Sequence, residues 1–563
     1  MATATAPRTP DAGPQGTDWT VTHAVLRFLR AELGCDRLFT VPGEAFLPLL
    51  GRAGEAGLEL VTVRHEAGAG FAALADARLT GRPGVLAVNR SPGAANAAIA
   101  LDAAQADPTA LLLVVGGAER GADPRTGFQA TDIAAFLGGL APVVTVTGAA
   151  GLPAALERCR RALRAAVPGP VVLVVPEDVW EEPAGPAPAA DPEPCTASER
   201  RRNGQRTAAA VREALLAAER PVLLAGRLLR GPGGPAERPG ALLARLGEGA
   251  GLPVLLGNKQ QDLLDNAAPC YGGHLHLGTP RATRERLAGA DLLVVLGDRA
   301  DTVHLAGPPP PGLRVLTVHP EPAGPGEPLA ADPVAVLAEL AGQDWPEAPA
   351  ARREWLRGWR ALETALAQAA PQPRPDGVDF AAVAAALGRR LPPDAIVTLD
   401  AGNFSSWIHR HVPLGAGQRQ LALAGGSMGF GVPAAVAAAL RHPDRTVVAV
   451  VGDGGLLMTG NELATGCAAG RAPVVVVADN GSYGTIRGHQ DRAFPGRDCG
   501  TDLVNPDLVG WARSFGLAAE RVEEPHQVEP ALRRALAARR GYLLHVRTSL
   551  QAVHANFDLP RRA

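Results

Sequence analysis

The sequence lacks the features that mark several broad classes of protein. None of its six cysteines forms a C-x-x-C pair, which argues against a disulfide framework or a zinc site and favours reduced thiols. No segment approaches the ~18 uninterrupted apolar residues of a transmembrane helix. The net charge of −2 provides no positive field that would draw the chain to nucleic acid. We therefore expect a cytoplasmic globular protein without membrane or nucleic-acid partners.

Short apolar runs alternate with Ala- and Leu-rich helical segments along the 563 residues. Two examples are TVVAVVG at 446–452 and PVVVVAD at 473–479, each apolar until it reaches a turn residue. Continuous apolar runs with helices between them are typical of parallel strands that are buried on both faces. The sequence therefore predicts an α/β fold of three doubly wound parallel-sheet domains.

Two segments rich in Pro, Ala and charge divide the chain and carry no apolar period, which is typical of linkers or of a linker plus a helix. The first and last domains between them share a pattern, because paired apolar runs start at positions 85 and 111 in one and at positions 447 and 474 in the other. A duplicated domain and the convergence of ordinary βαβ units both explain this nearly equal spacing. The predicted divisions are a disordered lead, first domain, linker, middle Rossmann-like domain, linker, last domain and tail, at 1–18, 19–182, 183–203, 204–342, 343–376, 377–550 and 551–563.

The most informative motif combines a glycine-rich turn with an asparagine on the next strand. The turn, GDGG at 452–455, contains Asp453 and follows one predicted strand, and Asn480 stands at the end of the next. Glycines let the backbone approach a phosphate, and ligands of open α/β sheets bind at the carboxyl ends of strands. A carboxylate, an amide oxygen, a carbonyl and two diphosphate oxygens would nearly complete the octahedron that magnesium requires at ~2.0–2.1 Å. The turn alone is also consistent with a plain strand-to-helix connection.

This pair of motifs resembles the cofactor motif of the thiamine-diphosphate-dependent enzymes of the acetolactate synthase, pyruvate oxidase and 2-oxo-acid decarboxylase superfamily. The resemblance covers nearly the whole chain and implies a pyrimidine-binding, a middle and a diphosphate-binding domain, in that order. It implies thiamine diphosphate and magnesium as cofactors, with the metal held by Asp453, Asn480 and the backbone carbonyl of Ser482. The family often has Asn-Asn where this chain has Asp479-Asn480, and the first of the pair is not the ligand.

Further cofactor contacts are implied in segments that follow the family order. Met428, in AGGSMGFGVPAA at 424–435, would force the cofactor into its V shape, while the Gly426 carbonyl would accept from the 4′-amino group. The alternative is a glycine-rich turn with Met as core filler. The segment DAGNFSSW at 400–407 resembles the loop that binds the diphosphate from its other side. The cofactor contacts implied beside the metal ligands are Glu66, Gly402, Asn403, Phe404, Gly426, Met428, Gly454, Gly455 and Tyr483.

Glu66 is the implied catalytic acid. It lies in RHEAGAGFAA at 64–73, which resembles the segment that bears the family's glutamate. Its role there is to donate a proton to the pyrimidine ring nitrogen and so activate the cofactor. In the family this glutamate serves a cofactor whose diphosphate is held by a partner chain. The resemblance therefore implies a homo-oligomer, a dimer or a tetramer, with active sites between subunits. Taken alone, Glu66 would be interpreted as a surface residue that begins a helix.

The substrate side of the site departs from known subfamilies. Branched-chain acetolactate synthases carry a Trp in the loop after the Asn motif, where this chain has His489, and the His-His pair of pyruvate decarboxylases is absent. Glu44, in VPGE at 41–44, is a candidate proton relay or a solvated loop residue. His489 and Arg487 could meet a substrate carboxylate or phosphate, or merely order their loop. The candidate catalytic residues are Glu66, Glu44 and His489, and the candidate substrate contacts are Gly43, Phe128, Gln129 and Arg487.

We therefore expect an enzyme that decarboxylates a 2-oxo acid and transfers the acyl-anion equivalent to a carbonyl acceptor. Simple decarboxylation to an aldehyde is the first alternative. A flavin-using oxidase ranks below it, because the middle domain has no G-x-G-x-x-G fingerprint and FAD is therefore unsupported. The only lysine, Lys259, is assigned to a structural turn rather than to FAD. A non-catalytic subunit should have lost Glu66 or the metal ligands, but this sequence keeps them. A nicotinamide dehydrogenase should have the Gly-rich fingerprint, which this sequence lacks.

Overall fold

The computed structural model describes residues 19–185, 197–230 and 239–560. The predicted lead, 1–18, lies outside these ranges. Within them, no helix combines the length and apolar character that crossing a membrane requires. Five cysteines of the described chain are free thiols, namely Cys35, Cys159, Cys270, Cys467 and Cys499.

Within the described ranges, eighteen strands form three six-stranded sheets, and all neighbouring strands within a sheet run parallel. The first sheet contains β1 (Arg37–Thr40), β2 (Glu59–Thr62), β3 (Gly84–Asn89), β4 (Leu111–Gly117), β5 (Val143–Thr145) and β6 (Pro170–Pro176). The second contains β7 (Pro221–Ala225), β8 (Val254–Leu256), β9 (Tyr271–His274), β10 (Leu292–Leu296), β11 (Arg314–His319) and β12 (Glu327–Ala330). The third contains β13 (Ile396–Leu399), β14 (Arg419–Ala422), β15 (Val447–Gly452), β16 (Val474–Asp479), β17 (Ala518–Val522) and β18 (Tyr542–Arg547). The prediction of three parallel-sheet α/β domains is confirmed.

Helices cover both faces of each sheet. Those of the first domain are α1 (Val21–Arg27), α2 (Leu47–Ala53), α3 (Glu66–Thr80), α4 (Arg90–Ala106), α5 (Ile133–Leu137) and α6 (Leu152–Leu163). Those of the middle domain are α7 (Ala197–Ala217), α8 (Pro239–Ala250), α9 (Arg281–Ala288), α10 (Thr302–Leu305), α11 (Pro333–Ala341) and α12 (Ala350–Ala367). Those of the last are α13 (Phe380–Arg390), α14 (Ser405–His411), α15 (Gly431–Arg441), α16 (Asp453–Thr459), α17 (Leu463–Ala468), α18 (Gly484–Ala493), α19 (Leu508–Ser514) and α20 (Pro525–Ala537).

The first and last sheets have the same strand order. The first runs β2-β1-β3-β4-β6-β5 and the last runs β14-β13-β15-β16-β18-β17, so each strand of one has an equivalent in the other. The paired apolar runs of the sequence form β3 with β4 and β15 with β16, which are the third and fourth strands of each sheet. This shared topology favours a duplicated domain over convergence. The middle sheet differs, with the order β12-β11-β10-β7-β8-β9.

The first and last domains share one hydrophobic core. Helices α3 and α15 pack against each other there, and the ring of Phe71 meets that of Phe430 edge to face, with centroids 5.8 Å apart. At the end of α15, the guanidinium of Arg441 lies 2.9 Å from a carboxylate oxygen of Asp36 and 2.8 Å from one of Asp76. The two domains of one chain are therefore joined by apolar packing and by ion pairs.

Some ranges predicted as connecting segments contain packed structure. Helix α7 begins at Ala197, inside the range 183–203, and α12 lies wholly inside 343–376. Trp359 of α12 is fully buried, and Nη2 of Arg352 donates to the carbonyl of Leu215 over 2.8 Å. In the predicted tail, Ala552 is buried as well. These helices agree with the linker-plus-helix interpretation, and Trp359 packs in the core of the middle domain.

A buried carboxylate joins the middle domain to the last. The side chain of Asp262 is inaccessible to solvent, and its Oδ2 accepts from Nη1 of Arg230 over 3.2 Å and from Nε of Arg419 over 3.1 Å. Burial alone would raise the pKa of Asp262, but the two guanidinium groups hold it below its usual range. The carboxylate therefore stabilises the fold above its unfolded pKa of about 4, and this contribution is lost as the pH falls through the lower, folded value.

Replacing Asp262 by Ala is expected to lower the free energy of unfolding by about 3–5 kcal/mol, because two guanidinium groups lose their shared buried partner. Chemical denaturation at pH 7 measures the change. Glu285→Ala is the matched control, because Glu285 belongs to an exposed helical pair with Arg281, and such pairs contribute about 0.3–0.5 kcal/mol. An equally small change for Asp262→Ala would contradict the structural role of this carboxylate.

Candidate active site

The Gly-Asp-Gly turn lies where β15 passes into α16. Asp453 is the first residue of α16, and its side chain is buried. A Cβ atom on Gly454 would lie 2.6 Å from the ring of Tyr483, and one on Gly455 would lie 2.7 Å from a carboxylate oxygen of Asp400. Both positions therefore require glycine because no space remains for a side chain. The turn brings the main chain against segments that follow β13 and β16.

Asp453 lies close to a second carboxylate, that of Asp479. Nδ2 of Asn505 donates to both, over 2.8 Å to Asp453 and over 3.0 Å to Asp479. Burial and the nearby charge of Asp479 together raise the pKa of Asp453 to about 6. Despite its own burial, the pKa of Asp479 is lowered by His545, whose Nε2 lies 2.6 Å away, and by Arg547 at 2.8 Å. These ion pairs give Asp479 a structural role at the position where the resembled family often has Asn.

The oxygen atoms assigned to a metal lie at the ends of the neighbouring strands β15 and β16. Oδ1 of Asn480 accepts from the backbone N–H of Ser482 over 3.0 Å, and the carbonyl of Ser482 accepts from Gly484 over 2.7 Å. The described ranges contain no group of three or more His, Cys, Asp or Glu side chains suited to a metal. A site here would instead combine one carboxylate, one amide and one carbonyl, a hard-oxygen set that suits magnesium. Because a cation would favour the ionised form of the buried Asp453, the residues fit the ion.

Asp400, at the end of β13, fixes two of the segments implied in cofactor binding. Its carboxylate accepts from the backbone N–H of Gly429 over 2.9 Å and from that of Ala401 over 2.7 Å. Burial raises the pKa of Asp400 to about 6, although the backbone hydrogen bonds oppose this. Sequence reasoning assigned no role to this carboxylate beyond its place at the start of a motif. It holds the loop at 400–407 and the Met428 segment together.

The loop at 400–407 is shaped by Gly402 and supported by the turn after β16. Gly402 has a φ of 152°, and a Cβ atom there would lie 2.6 Å from the ring of Phe404. The backbone N–H of Asn403 donates to Oγ1 of Thr485 over 3.1 Å. The three predicted contacts in this loop therefore lie beside the turn that carries Asn480 and Ser482.

Lys259 reaches the same loop from the middle domain. Its Nζ lies 3.1 Å from Oγ of Ser405 and 3.1 Å from Nε2 of His409. Oγ of Ser405 in turn donates to the carbonyl of Gly402 over 2.8 Å. Burial lowers the pKa of Lys259 to about 8, and its φ of 62° is uncommon for a residue other than glycine. The only lysine of the chain thus supports the loop from behind, which agrees with a structural assignment.

The first-domain candidates lie at the carboxyl edge of the first sheet. Glu66 is half-buried at the start of α3, and its Oε2 accepts from Nδ2 of Asn96 on α4 over 2.9 Å. A Cβ atom on Gly93 would lie 3.5 Å from its Oε1. Gly43 packs so closely on Asn89 that a Cβ atom there would lie 2.3 Å from it. These contacts place both the loop that holds Gly43 and the N-terminus of α3 against the first half of α4.

Glu462, a buried residue of the last domain, fixes the chain just before Glu66. Its carboxylate accepts from the backbone N–H groups of Arg64 over 3.0 Å and His65 over 3.1 Å. Oγ1 of Thr465 donates to the same carboxylate over 2.8 Å. Burial raises the pKa of Glu462, although these hydrogen bonds oppose the shift. No sequence signal predicted this contact, because the partners belong to the first and the last domains.

Arg90 connects the two loops predicted to meet the substrate. Its guanidinium lies 3.6 Å from the carboxylate of Glu44, 2.6 Å from that of Glu177 and 5.5 Å from the ring centroid of Phe128. Phe128 is 73% exposed, whereas Oε1 of Gln129 is buried without a hydrogen-bond partner. The structure therefore brings Glu44, Phe128 and Gln129 together around an arginine to which the sequence assigned no role.

The remaining candidates differ in exposure. Arg487 is buried in α18 and pairs with Asp498 at 2.7 Å and Asp502 at 3.1 Å, contacts that favour the loop-ordering alternative. His489, on the same helix, is exposed. Gly426 is exposed with a left-handed φ of 77°, and Met428 is half-buried. His489, Gly426 and Met428 are therefore accessible to a bound molecule.

Comparisons with known proteins match all three domains. The family models described as thiamine pyrophosphate enzyme, N-terminal TPP binding domain, central domain and C-terminal TPP binding domain match residues 19–136, 208–341 and 400–546. The acetolactate synthase isozyme 2 large subunit of Escherichia coli is 28% identical, over 94% of this chain and 95% of that protein. Acetolactate synthase of Mycobacterium bovis is 30% identical, over 92% and 85% respectively.

Decarboxylases are similar as well. The probable 2-ketoarginine decarboxylase of Pseudomonas aeruginosa is 30% identical, over 92% of each chain. Among solved structures, the thiamine diphosphate-dependent 4-hydroxybenzoylformate decarboxylase of Rhodococcus jostii RHA1 matches with a TM-score of 0.79. It covers 96% of this chain and 100% of that one at 24% identity, a likeness that concerns the fold alone.

Proposed function

Because the chain belongs to the thiamine pyrophosphate enzyme family, we propose that it decarboxylates a 2-oxo acid and transfers the acyl-anion equivalent to a carbonyl acceptor, using thiamine diphosphate and magnesium. The observation that carries this proposal is the arrangement at the ends of β15 and β16. There the buried carboxylate of Asp453, the turn at Asn480 and Ser482 and the loop at 400–407 meet at one sheet edge.

Each residue of this edge has a separate task in the proposal. Asp453, Asn480 and the carbonyl of Ser482 would hold the magnesium ion, and the main chain at Gly402 and Gly454 would approach the diphosphate. The bound cofactor supplies the chemistry that lets a 2-oxo acid lose carbon dioxide. Met428 and Gly426 would contact the remainder of the cofactor from the segment that Asp400 fixes.

Glu66 would act from a neighbouring subunit. Its carboxylate would hold a proton for the pyrimidine ring, which requires only that the carboxyl group be placed in contact with that ring. Within its own chain, Asn96 and Glu462 anchor the N-terminus of α3, and these contacts fix the orientation of Glu66. Within a few residues of the candidate site, the first and last domains expose large apolar side chains, which supports a surface that a second copy covers. They are Leu47, Phe128, Leu457, Met458, Ile486 and Val504.

Simple decarboxylation to an aldehyde is the second candidate function. It is supported by the similarity to the 2-ketoarginine decarboxylase and by His489, which lies near the position where branched-chain synthases carry a Trp. The two functions differ only in what reaches the activated substrate after carbon dioxide has left. A closed, dry pocket with an acceptor favours transfer, whereas a proton from a relay such as Glu44 favours release of an aldehyde.

The distinguishing experiment uses purified protein with thiamine diphosphate and magnesium. Pyruvate, 2-oxobutyrate, 2-ketoarginine and 4-hydroxybenzoylformate are each incubated with and without an aldehyde or a second 2-oxo acid. Carbon dioxide and products are followed by mass spectrometry. We expect a carbon–carbon-bonded hydroxyketone or acetohydroxy acid when an acceptor is present. Aldehyde alone in every mixture would favour the simple decarboxylase, and no carbon dioxide from any acid would contradict both. An absorption spectrum of the same sample tests for a flavin.

Replacing Lys259 by Met is expected to weaken thiamine diphosphate binding by about ten-fold. The substitution removes the hydrogen bonds that hold Ser405 and His409, each worth about 0.5–1.5 kcal/mol, and about 1.4 kcal/mol corresponds to ten-fold in affinity. Quenching of tryptophan fluorescence on cofactor titration measures the dissociation constant, since Trp407 lies at the end of the loop. Arg357→Met, on the exposed side of α12, is the control. Equal dissociation constants for wild type and Lys259→Met would show that the loop does not depend on this lysine.

A further inference from the structure

The segment that begins at the proposed metal ligand Asp453 also carries a buried carboxylate that faces another domain. Helix α16 is followed by the short turn Gly460–Glu462, so Glu462 lies only nine residues after Asp453. Glu462 is 1% exposed, and its hydrogen bonds reach the backbone of the two residues that precede Glu66. One short segment of the last domain therefore carries a proposed cofactor ligand at one end and a contact with the catalytic acid's chain at the other.

Four hydrogen bonds are donated to the carboxylate of Glu462. The backbone N–H of Arg64 lies 3.0 Å from Oε1 and 3.2 Å from Oε2, and that of His65 lies 3.1 Å from Oε1. The hydroxyl of Thr465 lies 2.8 Å from Oε2. Donors of this kind compensate the cost of burying a carboxylate, and the N-terminus of α3 favours a negative charge. The contact is thus a specific one between two domains.

Close packing leaves this carboxylate little freedom to move. A Cβ atom on Gly68 of α3 would lie 2.4 Å from Oε1 of Glu462 and 2.8 Å from its Cδ. In the turn that carries Glu462, a Cβ atom on Gly460 would lie 2.8 Å from the ring of Trp511. Glycine at these two positions lets the first domain and the interior of the last domain pack directly against the turn. The anchor is therefore held from both sides.

Glu66 follows the anchored residues directly. Nδ2 of Asn96 donates to its carboxylate over 2.9 Å, so Asn96 holds the end of the side chain while Glu462 holds the backbone from which the side chain starts. A displacement of about 1 Å at a reacting group can cost about 10²-fold in rate. Fixing both ends of Glu66 therefore meets the precision that proton transfer requires.

We propose that Glu462 is a positioning residue for Glu66 and thereby serves the active site of the neighbouring subunit. This inference rests on the proposed function, in which Glu66 acts on a cofactor held by a second chain. The last domain then has two tasks at two different sites. Asp453 holds the cofactor of its own chain, whereas Glu462 orients the acid that reaches the cofactor of the other chain. Glu462 acts only through Glu66 and contacts neither cofactor nor substrate.

Amide hydrogen exchange of the cofactor-free protein tests the contact without reference to turnover. In Glu462→Ala the backbone N–H groups of Arg64 and His65 lose their acceptor, and we expect peptides that contain them to exchange at least about ten-fold faster. Gly68→Ala is the second variant, because its methyl group displaces the carboxylate although alanine is the better helix former. Gly51→Ala, at an exposed glycine of α2 with open space around it, is the matched control. Unchanged exchange in both Glu462→Ala and Gly68→Ala would overturn the proposal.

Turnover shows whether the contact acts through Glu66. We expect Glu462→Ala to lower kcat by about 10–100-fold with little change in KM or cofactor affinity. Glu462→Gln keeps an oxygen that accepts from both backbone N–H groups, and it should lose less activity than Glu462→Ala. In a Glu66→Gln background, Glu462→Ala should change kcat by less than about two-fold, because the group that it positions no longer transfers a proton. A full additional loss in that background would overturn the proposal. Gly68→Ala enters the same comparison if Glu462→Ala does not fold.

Mixing of subunits identifies the site that Glu462 serves. After subunit exchange with Asp453→Asn, Glu462→Ala should regain about a quarter of the wild-type activity, because one site of each mixed dimer carries neither substitution. After exchange with Glu66→Gln it should regain no activity, because each site of the mixed dimer then has a defective acid. The reverse pattern would assign Glu462 to the cofactor site of its own chain and overturn the proposal.

A third mixture separates failure of this inference from failure of the proposed function. Glu66→Gln and Asp453→Asn proteins are exchanged under the same conditions. If this mixture regains activity and the mixture of Glu462→Ala with Asp453→Asn does not, only the role of Glu462 is overturned. If neither mixture regains activity, the arrangement of active sites between subunits is contradicted, and the role of Glu462 at the neighbouring site is overturned with it.

Discussion

Replacing Glu66 by Gln is expected to lower turnover by about 10²–10⁴-fold, the usual span for the loss of one acid–base group. Glutamine has nearly the same shape and can still accept a hydrogen bond from Asn96. It cannot hold and deliver a proton as a carboxyl group does, so binding should persist while the reaction slows. The rate of carbon dioxide release with the best 2-oxo acid measures turnover, and fluorescence titration measures cofactor affinity.

The control for this substitution is Glu55→Gln, at an exposed residue of the same domain. Its turnover should equal that of the wild type. A Glu66→Gln enzyme with unchanged turnover would remove the proposed role of this carboxylate. A loss of cofactor affinity as large as the loss of turnover would instead indicate that Glu66 serves binding rather than proton transfer.

Replacing Asp453 by Asn is expected to weaken magnesium-dependent binding of thiamine diphosphate by at least ~100-fold, and to abolish activity at ordinary magnesium concentrations. Substitution of a residue that only orients a metal ligand already lowers metal affinity or activity by about 10–100-fold. Asp453 is itself a proposed ligand and supplies the only carboxylate of the proposed set. Removal of magnesium from the wild type with a chelator should give the same loss. Titration of magnesium at fixed cofactor measures the effect.

The same substitution should leave the cofactor-free protein at least as stable as the wild type. Burial and Asp479 raise the folded pKa of Asp453 to about 6, so at pH 7 and in the absence of a cation the carboxylate is ionised at a cost to the stability of the folded state. A group whose folded pKa is raised in this way favours the folded state less as the pH rises through that value. The introduced asparagine carries no charge, and its amide oxygen can still accept from Asn505. Asp444→Asn, at an exposed residue of the same domain, is the control for both measurements.

Loss of stability without loss of magnesium affinity in Asp453→Asn would contradict the metal-binding role. It would show that the carboxylate is needed for the turn itself. The opposite combination, weak magnesium binding with unchanged or higher stability, is the signature of a residue selected for a ligand rather than for the fold.

The sequence predicted the fold well because its main signals are local. Continuous apolar runs separate parallel buried strands from helices without reference to distant residues. The glycine turn and Asn480 could likewise be placed at one sheet edge, because consecutive parallel strands end on the same side. The connecting segments were less well determined: their composition left a linker and a linker plus helix both open, and the structure places α12 inside the second of them.

Several contacts of the candidate site could not be predicted, because they join residues that are distant in the sequence. Asn505 bridges Asp453 and Asp479 from a loop without a motif. Glu462 holds the chain before Glu66 from another domain. Arg90 has a left-handed backbone, with a φ of 45°, which no sequence pattern indicates. In each case the residue type is common and its role depends on packing.

The role of Arg487 shows a second limit. An arginine next to a cofactor motif suggests an anionic ligand, and the same residue type also orders acidic loops. An arginine that binds an anionic ligand and one that orders a loop differ only in whether carboxylates of the protein already pair with the guanidinium. In the folded chain, Asp498 and Asp502 pair with the guanidinium of Arg487. Their spacing from Arg487 in the sequence does not predict these contacts.

Mixing two inactive variants tests the central claim most directly, namely that Glu66 of one subunit serves the cofactor held at Asp453 of another. Glu66→Gln and Asp453→Asn proteins are combined in equal amounts, their subunits are exchanged, and turnover is compared with that of each variant treated alone. In a mixed dimer, one site carries both substitutions and the other carries neither, so random exchange should restore about a quarter of the wild-type activity. If each active site were built from a single chain, every site would carry one substitution, and mixing would restore no activity.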